Sequence, residues 1–352
     1  MTDDSSHSNR TDRRTFLRAT GVALGGAAVT ASSAAARGPP ESDARVAKAD
    51  FSKGISADRI AEIRQSARAE YNARGGDLDV TPVVSDPDPE DGTIVAYSYK
   101  IDANGVPRQY TGIAGDAGSA ARLHGKAAER ATAFDRASAA TTSGTTTDEA
   151  TTQSKSWSNV LHDEADFCSD PYGCVTNNLD LKQLDGDGDP TQDAYAVKHF
   201  FVMEPGTQKY GSGWENDVGE PKHDWSKNDM GNADLNEYDP LGTHDGSQSI
   251  NVSVGTSGVN LGWSYTQPAV TTIDESSPSG NYATWNEEFN TSDARQYTNG
   301  MKPGSSCWID QEATGSGQYD LMDLISKGTF YEGGWTPDSH ALKHTFHVKV
   351  NY

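Results

Sequence analysis

GSQSINVSVGTSGVNLGWSYTQPAVTTI, residues 246–273, runs for 28 positions without a charged side chain in a chain of 352 residues and net charge −22. Ile250, Val252 and Val254 alternate with Asn251 and Ser253. A turn follows at Gly255-Thr256-Ser257-Gly258. Val259, Leu261, Trp263 and Tyr265 then alternate with Asn260, Gly262, Ser264 and Thr266. Successive strand side chains point to opposite faces, so this pattern predicts a hairpin with one apolar face and one uncharged polar face. Each arm has about nine residues, close to the 9–11 of a membrane-spanning β-strand. The pattern fits a sandwich hairpin with its apolar face in the core, and it also fits a surface for a membrane or a partner.

The same short alternating runs between turn residues extend through residues 155–352, which hold all seven Trp. They predict an acidic antiparallel β-sandwich or barrel-like domain, so the chain is mainly β. Residues 37–139 read as a small α+β unit. Residues 37–50 form a flexible start. Ser56 caps a helix to Arg74, with Ile60, Ile63, Ala67 and Tyr71 at helical spacing. Strands are expected near Thr93–Tyr99 and Gln109–Ile113, around the turn Asp102-Ala103-Asn104-Gly105, and a helix over Ala117–Ala139. Residues 140–154, dominated by Thr and Ser, read as a linker. Residues 37–139 carry 14 basic and 16 acidic side chains, and residues 155–352 carry 11 and 30, with Arg295 the only arginine of the second segment. A near-neutral unit tethered to an acidic one suggests a pro-domain docked on its cargo, or two independent domains.

The acidity excludes a nucleic-acid binder working through a basic surface. No run approaches the ~20 apolar residues of a membrane-spanning helix. Arg13 and Arg14, followed by Phe16-Leu17 and an Ala/Gly-rich stretch to Ala36, predict a twin-arginine export signal over residues 1–36. The twin-arginine translocase is then a partner, and the expected location is secreted, extracellular. No Cys follows the apolar stretch and His347–Tyr352 has no anchor pattern, so a released protein is expected.

Export combined with this acidity resembles haloarchaeal secreted proteins, whose carboxylate surfaces hold water and cations in brine. The order of leader, helical N-terminal unit, linker and secreted C-terminal part resembles halocin precursors, the bacteriocins of haloarchaea. The hairpin within residues 246–273 is similar in pattern to the inserting hairpins of β-pore-forming toxins. These resemblances imply a secreted, halophilic, non-enzymatic protein that is halocin-like and acts on a target-cell membrane. They rest on organisation and pattern, so no functional residue is carried over.

Cys168 and Cys174 flank a Pro–Gly turn and are expected to form a disulfide outside the cytoplasm, with pairing to Cys307 or buried thiols as alternatives. Asp185, Asp187, Asp189 and Asp193 place carboxylates along a Gly-containing loop, which suits either calcium or a solvated turn between strands Val175–Leu184 and Tyr195–Val202. Calcium is the one cofactor the sequence suggests. His340, His344 and His347 fall on an alternating run, where residues four apart lie roughly 13 Å apart, too far for one metal. Glu215, Asp217, Glu220, His223, Asp224, Asp229, Asp234, His244 and Asp245 offer acid–base pairs for a secreted hydrolase, without a motif that fixes their geometry. Trp157, Trp214, Trp225, Trp263, Trp285, Trp308 and Trp335 suit either core anchors or a stacking platform for sugars. An extracellular glycan-binding or cell-surface module and a secreted hydrolase are therefore the alternatives to a membrane-active protein.

Overall fold

The computed structural model describes residues 40–79, 81, 83–90, 92–141, 155–186, 189, 191–256, 258–310 and 317–351. The export signal with Arg13 and Arg14, and residues 142–154 of the Thr/Ser stretch, lie outside the described residues. The first strands are β1 (Arg45–Lys48), β2 (Val83–Glu90), β3 (Thr93–Ile101), β4 (Pro107–Ala114), β5 (Ser156–Ser169), β6 (Gly173–Asp185) and β7 (Gln192–Pro205). Next come β8 (Glu215–Asp224), β9 (Ala233–Asp239), β10 (Thr243–Asp245), β11 (Gln248–Thr256), β12 (Val259–Gln267) and β13 (Thr271–Asp274). The last are β14 (Tyr282–Glu288), β15 (Asn299–Met301), β16 (Gly304–Asp310), β17 (Gln318–Glu332) and β18 (Asp338–Asn351). The helices are α1 (Ala57–Ala73), α2 (Ala117–Thr141), and the short α3 (Gly206–Lys209) and α4 (Ser292–Gln296).

Three sheets result. A nine-stranded sheet runs β1-β3-β4-β5-β6-β7-β16-β9, with β15 also on β7. A seven-stranded sheet runs β10-β13-β14-β8-β17-β18-β2, and β11 pairs with β12 alone. The two large sheets enclose a shared apolar core that includes Leu179, Val197, Phe201, Trp225, Trp285, Leu324, Phe330 and Phe346. The chain is thus mainly β and sandwich-like.

Strands from both sides of residues 142–154 share these sheets. β4 pairs with β5 in parallel, from Arg108↔His162 to Ala114↔Cys168. A parallel pair needs a long crossover, and α2 lies in it. At the other sheet's edge, β2 pairs with β18 from Val83↔Val350 to Glu90↔Lys343. The charge contrast of the two segments is used at this junction. Lys126 and Arg130 of α2 reach Asp166 and Glu164 of β5 at 2.6 and 2.7 Å.

α1 begins where the Ser56 side chain accepts from the Arg59 amide, and it buries Ile60, Ile63, Ala67 and Tyr71. The strand expected near Thr93–Tyr99 is β3, and it is buried continuously from Val95 to Ile101 with no solvent face. One face takes α1, through Tyr97, Tyr99 and Ile101. The other takes α2, and there the buried Lys100 ammonium meets Asp135 at 2.9 Å and Glu41 at 3.1 Å. Residues 45–48, within the segment expected to be a flexible start, form β1 against β3.

Arg64 ties this region together. Its guanidinium donates to Tyr97 Oη at 2.9 Å, Asp86 Oδ1 at 2.7 Å, Gln109 Oε1 at 3.1 Å and the Ser85 carbonyl. Ser85 and Gln109 in turn donate to the buried Asp163 of β5, whose carboxyl is pushed by burial to about 7.

Between the large sheets lies a chain of buried neutral histidines. His199 Nδ1 is 3.2 Å from His223 Nε2, and His223 Nδ1 is 2.8 Å from Ser305 Oγ, which also accepts from the Trp225 indole. Ser326 closes on His199 Nε2, and His344 meets the Asn177 amide. Burial holds His223 and His344 down to about 3, and His199 well below its ordinary value. The unfolded chain, with ordinary values near 6.5, therefore binds more protons at acid pH. The histidine contribution is complete above about 6.5 and is lost as pH falls toward 3, by roughly 1.4 kcal/mol per pH unit for each histidine. Urea titrations from pH 7 to 4 are expected to show the wild type losing stability relative to a His344→Gln variant by about that slope; parallel curves would contradict it.

Candidate functional site

The hairpin of β11 and β12 is built as its alternation predicts. Its register runs from Gln248↔Gln267 through Ile250↔Tyr265, Val252↔Trp263 and Val254↔Leu261 to Thr256↔Val259. Ile250, Val252, Val254 and Tyr265 are buried, and Val259, Leu261 and Trp263 are half-buried. Ser249, Asn251, Ser253, Asn260, Gly262, Ser264 and Thr266 face solvent. One face is therefore apolar and covered, and the other is polar, uncharged and wet.

What holds this hairpin differs from what holds the other strands. Among the described residues it adds to neither large sheet, and no ladder fixes it to the body. Its apolar face packs on the nine-stranded sheet around β9 and β16. Trp263 lies against Gly304, where a Cβ would come within 2.5 Å of the indole, and its Nε1 donates to the Lys302 carbonyl at 2.8 Å. The Lys198 ammonium sits 5.5 Å from the Trp263 ring. Near the tip, Asn236 and Ser306 donate to the Gly255 carbonyl and Trp157 to that of Val259. The Ser253 amide donates to Asp239. Burying each apolar side chain contributes about 1.5–3 kcal/mol, and each hydrogen bond about 1 kcal/mol.

The base of the hairpin is a compact hinge. Gly246 has φ of 72°, in the left-handed region that glycine adopts without strain, and its amide donates to the Val270 carbonyl. Pro268 follows the last β12 residue. The two protons of the Gln267 side-chain amide are shared among the carbonyls of His244, Gly246 and Val270, at 3.0–3.1 Å. Beside it stands Glu287 of β14, fully buried, with neither carboxylate oxygen partnered among the described residues. Burial pushes its carboxyl up to about 8. Glu287 was invisible in a sequence with 51 acidic residues. Its place on the inner face of an alternating strand was the one available signal.

Register places the hinge at a defined end of the molecule. Asp245 pairs with Thr271, Thr271 with Glu288, Glu288 with Val218 and Val218 with Thr329. Two residues further, Tyr331 pairs with Glu215, and the β17–β18 turn then presents Trp335, which is 100% exposed. Tyr297 is 57% exposed next to α4, and Arg295 of α4 stacks on the Tyr331 ring. At the same end Tyr172 stacks on His340 and packs edge-on to Trp214.

The other candidate residues are dispersed. Cys168 and Cys174 form the disulfide, across the β5–β6 turn, and Cys307 is a buried free thiol raised by burial. Asp187 lies outside the described residues. Asp185 accepts from Ser158, Asp189 accepts from Thr191, and Asp193 is buried within β7. Among the described residues no group of three or more His, Cys, Asp or Glu is arranged to hold a metal ion. His344 and His347 point to opposite sides of β18: the first is buried, and the second meets Asp323 and Asp88. His223 lies in the closed inter-sheet chain, and Glu215, Asp217, Glu220 and Asp224 are spread along β8. Trp214, Trp225 and Trp285 are core residues, Trp157, Trp263 and Trp308 are half-buried, and Trp335 alone among the seven is fully exposed. Among the described residues no helix is long and apolar enough to cross a membrane, which says nothing about crossing with strands.

No protein-family model matches the chain, and no curated protein does. Solved structures resemble it weakly. One described as a pore forming protein is 11% identical, with a TM-score of 0.33 over 59% of this chain and 96% of its own. The delta-toxin of Clostridium perfringens is 12% identical, with a TM-score of 0.28 over 50% and 85%. The Clostridium perfringens NetB toxin in its membrane-inserted form is 7% identical, with a TM-score of 0.29 over 56% and 97%. At these values the site must be judged on its own geometry.

That geometry makes a local prediction. Gly304→Val places side-chain atoms where the Trp263 ring now lies. Hydrogen exchange of the β11 and β12 amides is expected to rise by at least an order of magnitude, corresponding to about 1.4 kcal/mol or more of lost local protection, while β17 and β18 keep theirs. Equal protection across all four strands would show that this contact does not hold the hairpin.

Proposed function

We propose that the protein is a secreted, membrane-active protein whose hairpin Gln248–Gln267 leaves the body and crosses a target bilayer as part of an oligomeric β-barrel. One observation carries this reading. The longest uncharged amphipathic hairpin of an otherwise acidic chain is docked by side chains and belongs to neither large sheet. A two-stranded hairpin is marginal alone and has two raw edges, and closure with other copies would satisfy both. In a barrel the Ile250, Val252, Val254, Leu261, Trp263 and Tyr265 face meets lipid. The Asn251, Ser253, Ser264 and Thr266 face lines water.

The hinge position supports the same reading. Rotation about Gly246 and Pro268 carries the hairpin past the end where Trp335 projects, and an exposed indole suits the bilayer–water interface. Secretion through the twin-arginine route, action in brine and a halocin-like role belong to this proposal. They are supported by the Arg13–Arg14 leader pattern and by the net charge of −22.

The test is dye release from lipid vesicles by the full chain, followed by planar-bilayer recording. Release is expected, with discrete conductance steps. Ser264→Lys, on the wet face, is expected to leave the fold and release intact and to shift reversal potential toward anion selectivity. Trp335→Ala is expected to reduce vesicle binding several-fold without changing the thermal midpoint. Absence of release across salt and lipid composition would remove the reading, and an unshifted reversal potential would remove the assignment of the lumen face.

A further inference from the structure

The hairpin base covers a cluster of buried oxygen atoms that the fold leaves without partners. Both carboxylate oxygens of Glu287, Thr272 Oγ1, Gln267 Oε1 and Tyr265 Oη are all buried and find no hydrogen-bond partner among the described residues. Chain geometry gathers them. Glu287 sits directly across from Thr272, and Thr272 across from His244. The His244 carbonyl takes the Gln267 amide proton, which leaves the Gln267 oxygen on the far side of the same group. Tyr265 lies two residues before Gln267 on the same face of the hairpin, within electrostatic reach of Glu287. No Lys, Arg or His of the described residues forms an ion pair with Glu287.

Five such oxygens with a single negative charge are a donor set for a hard cation, and hard cations take oxygen ligands. The charge count selects the ion. With a cation bound, Glu287 gives up its proton, and its one carboxylate then balances a monovalent ion, whereas a divalent ion would leave an uncompensated positive charge in the interior, which is costly. We propose that Glu287, Thr272, Gln267 and Tyr265 form a site for a monovalent metal cation of sodium or potassium size, which locks the hairpin base to β13 and β14. Two of the four ligands belong to the hairpin and its hinge, and two to the body. Departure of the hairpin therefore dismantles the site, and the cation holds the hairpin in place. The consequence for insertion rests on the function proposed above; the site itself does not.

The experiment compares thermal midpoints of the full chain in NaCl, KCl and N-methylglucamine chloride at one ionic strength and pH 8. It is paired with anomalous diffraction from crystals soaked in rubidium chloride. The wild type is expected to melt higher in NaCl or KCl than in the organic salt, Glu287→Gln to show no such preference, and a rubidium peak to appear beside Glu287. Equal wild-type midpoints, the same preference in Glu287→Gln, or no rubidium peak at Glu287 would overturn the site. So would a midpoint that responds to acidification and to no cation, because Glu287 is then buried as the acid. Rubidium bound here in a protein that releases no vesicle dye keeps the site and removes the membrane reading. Dye release without cation preference does the reverse.

Discussion

The parallel pairing of β4 with β5 is the constraint on which the rest of the architecture depends. Seven residues of an N-terminal strand, Arg108 to Ala114, lie beside His162 to Cys168 and extend the large sheet past the midpoint of the chain. Antiparallel neighbours can be joined by a tight turn, but this pair needs a crossover, and α2 supplies it. Once α2 crosses, it must cover apolar surface, and it does so on β3 and β4 through Val95, Ala96, Tyr110 and Ala114. α1 then covers the opposite face of β3. The basic side chains of α2 meet carboxylates of β5, so the charge contrast between the two chain segments is discharged across a packed junction.

Much of this was legible in the residues, for identifiable reasons. α1 has a side-chain cap and a strict helical repeat, and its buried residues are the four that the repeat selects. The hairpin at 248–267 has perfect alternation and no charge to blur it, so its faces follow from period alone. β2 was not legible, because Pro87 and Pro89 argue against a strand. The structure tolerates them because β2 is an edge strand, paired only with β18, where a missing amide proton leaves no ladder broken on the open side. β1 was missed because four residues carry no period. The double burial of β3 was hidden as well, since Ser98 and Lys100 look like a solvent face until α2 is placed over them.

The candidate site divides in the same way. Its hairpin was readable, but its hinge was not. Gly246, Gln267 and Glu287 become a unit only when β10, β13 and β14 are aligned, and each is unremarkable on its own strand. The Asp-rich loop made the stronger impression in the sequence. Yet Asp185 accepts from Ser158 at the end of β6, Asp189 accepts from Thr191 in the connection, and Asp193 is buried within β7, so the described carboxylates sit on three different stretches of chain.

The shared sheets also decide what a cut in the connecting Thr/Ser stretch would do. Severing the backbone there breaks no strand pair: β4 still lies on β5 and β2 still lies on β18. The two pieces would travel as one particle, separable by denaturant and inseparable by size. Only their physical parting would bare the β5 and β18 flanks, each 14 residues long, to whatever strand arrives next. Proteolytic nicking and functional exposure are thus distinct events in this molecule, and a gel that shows the first is silent about the second.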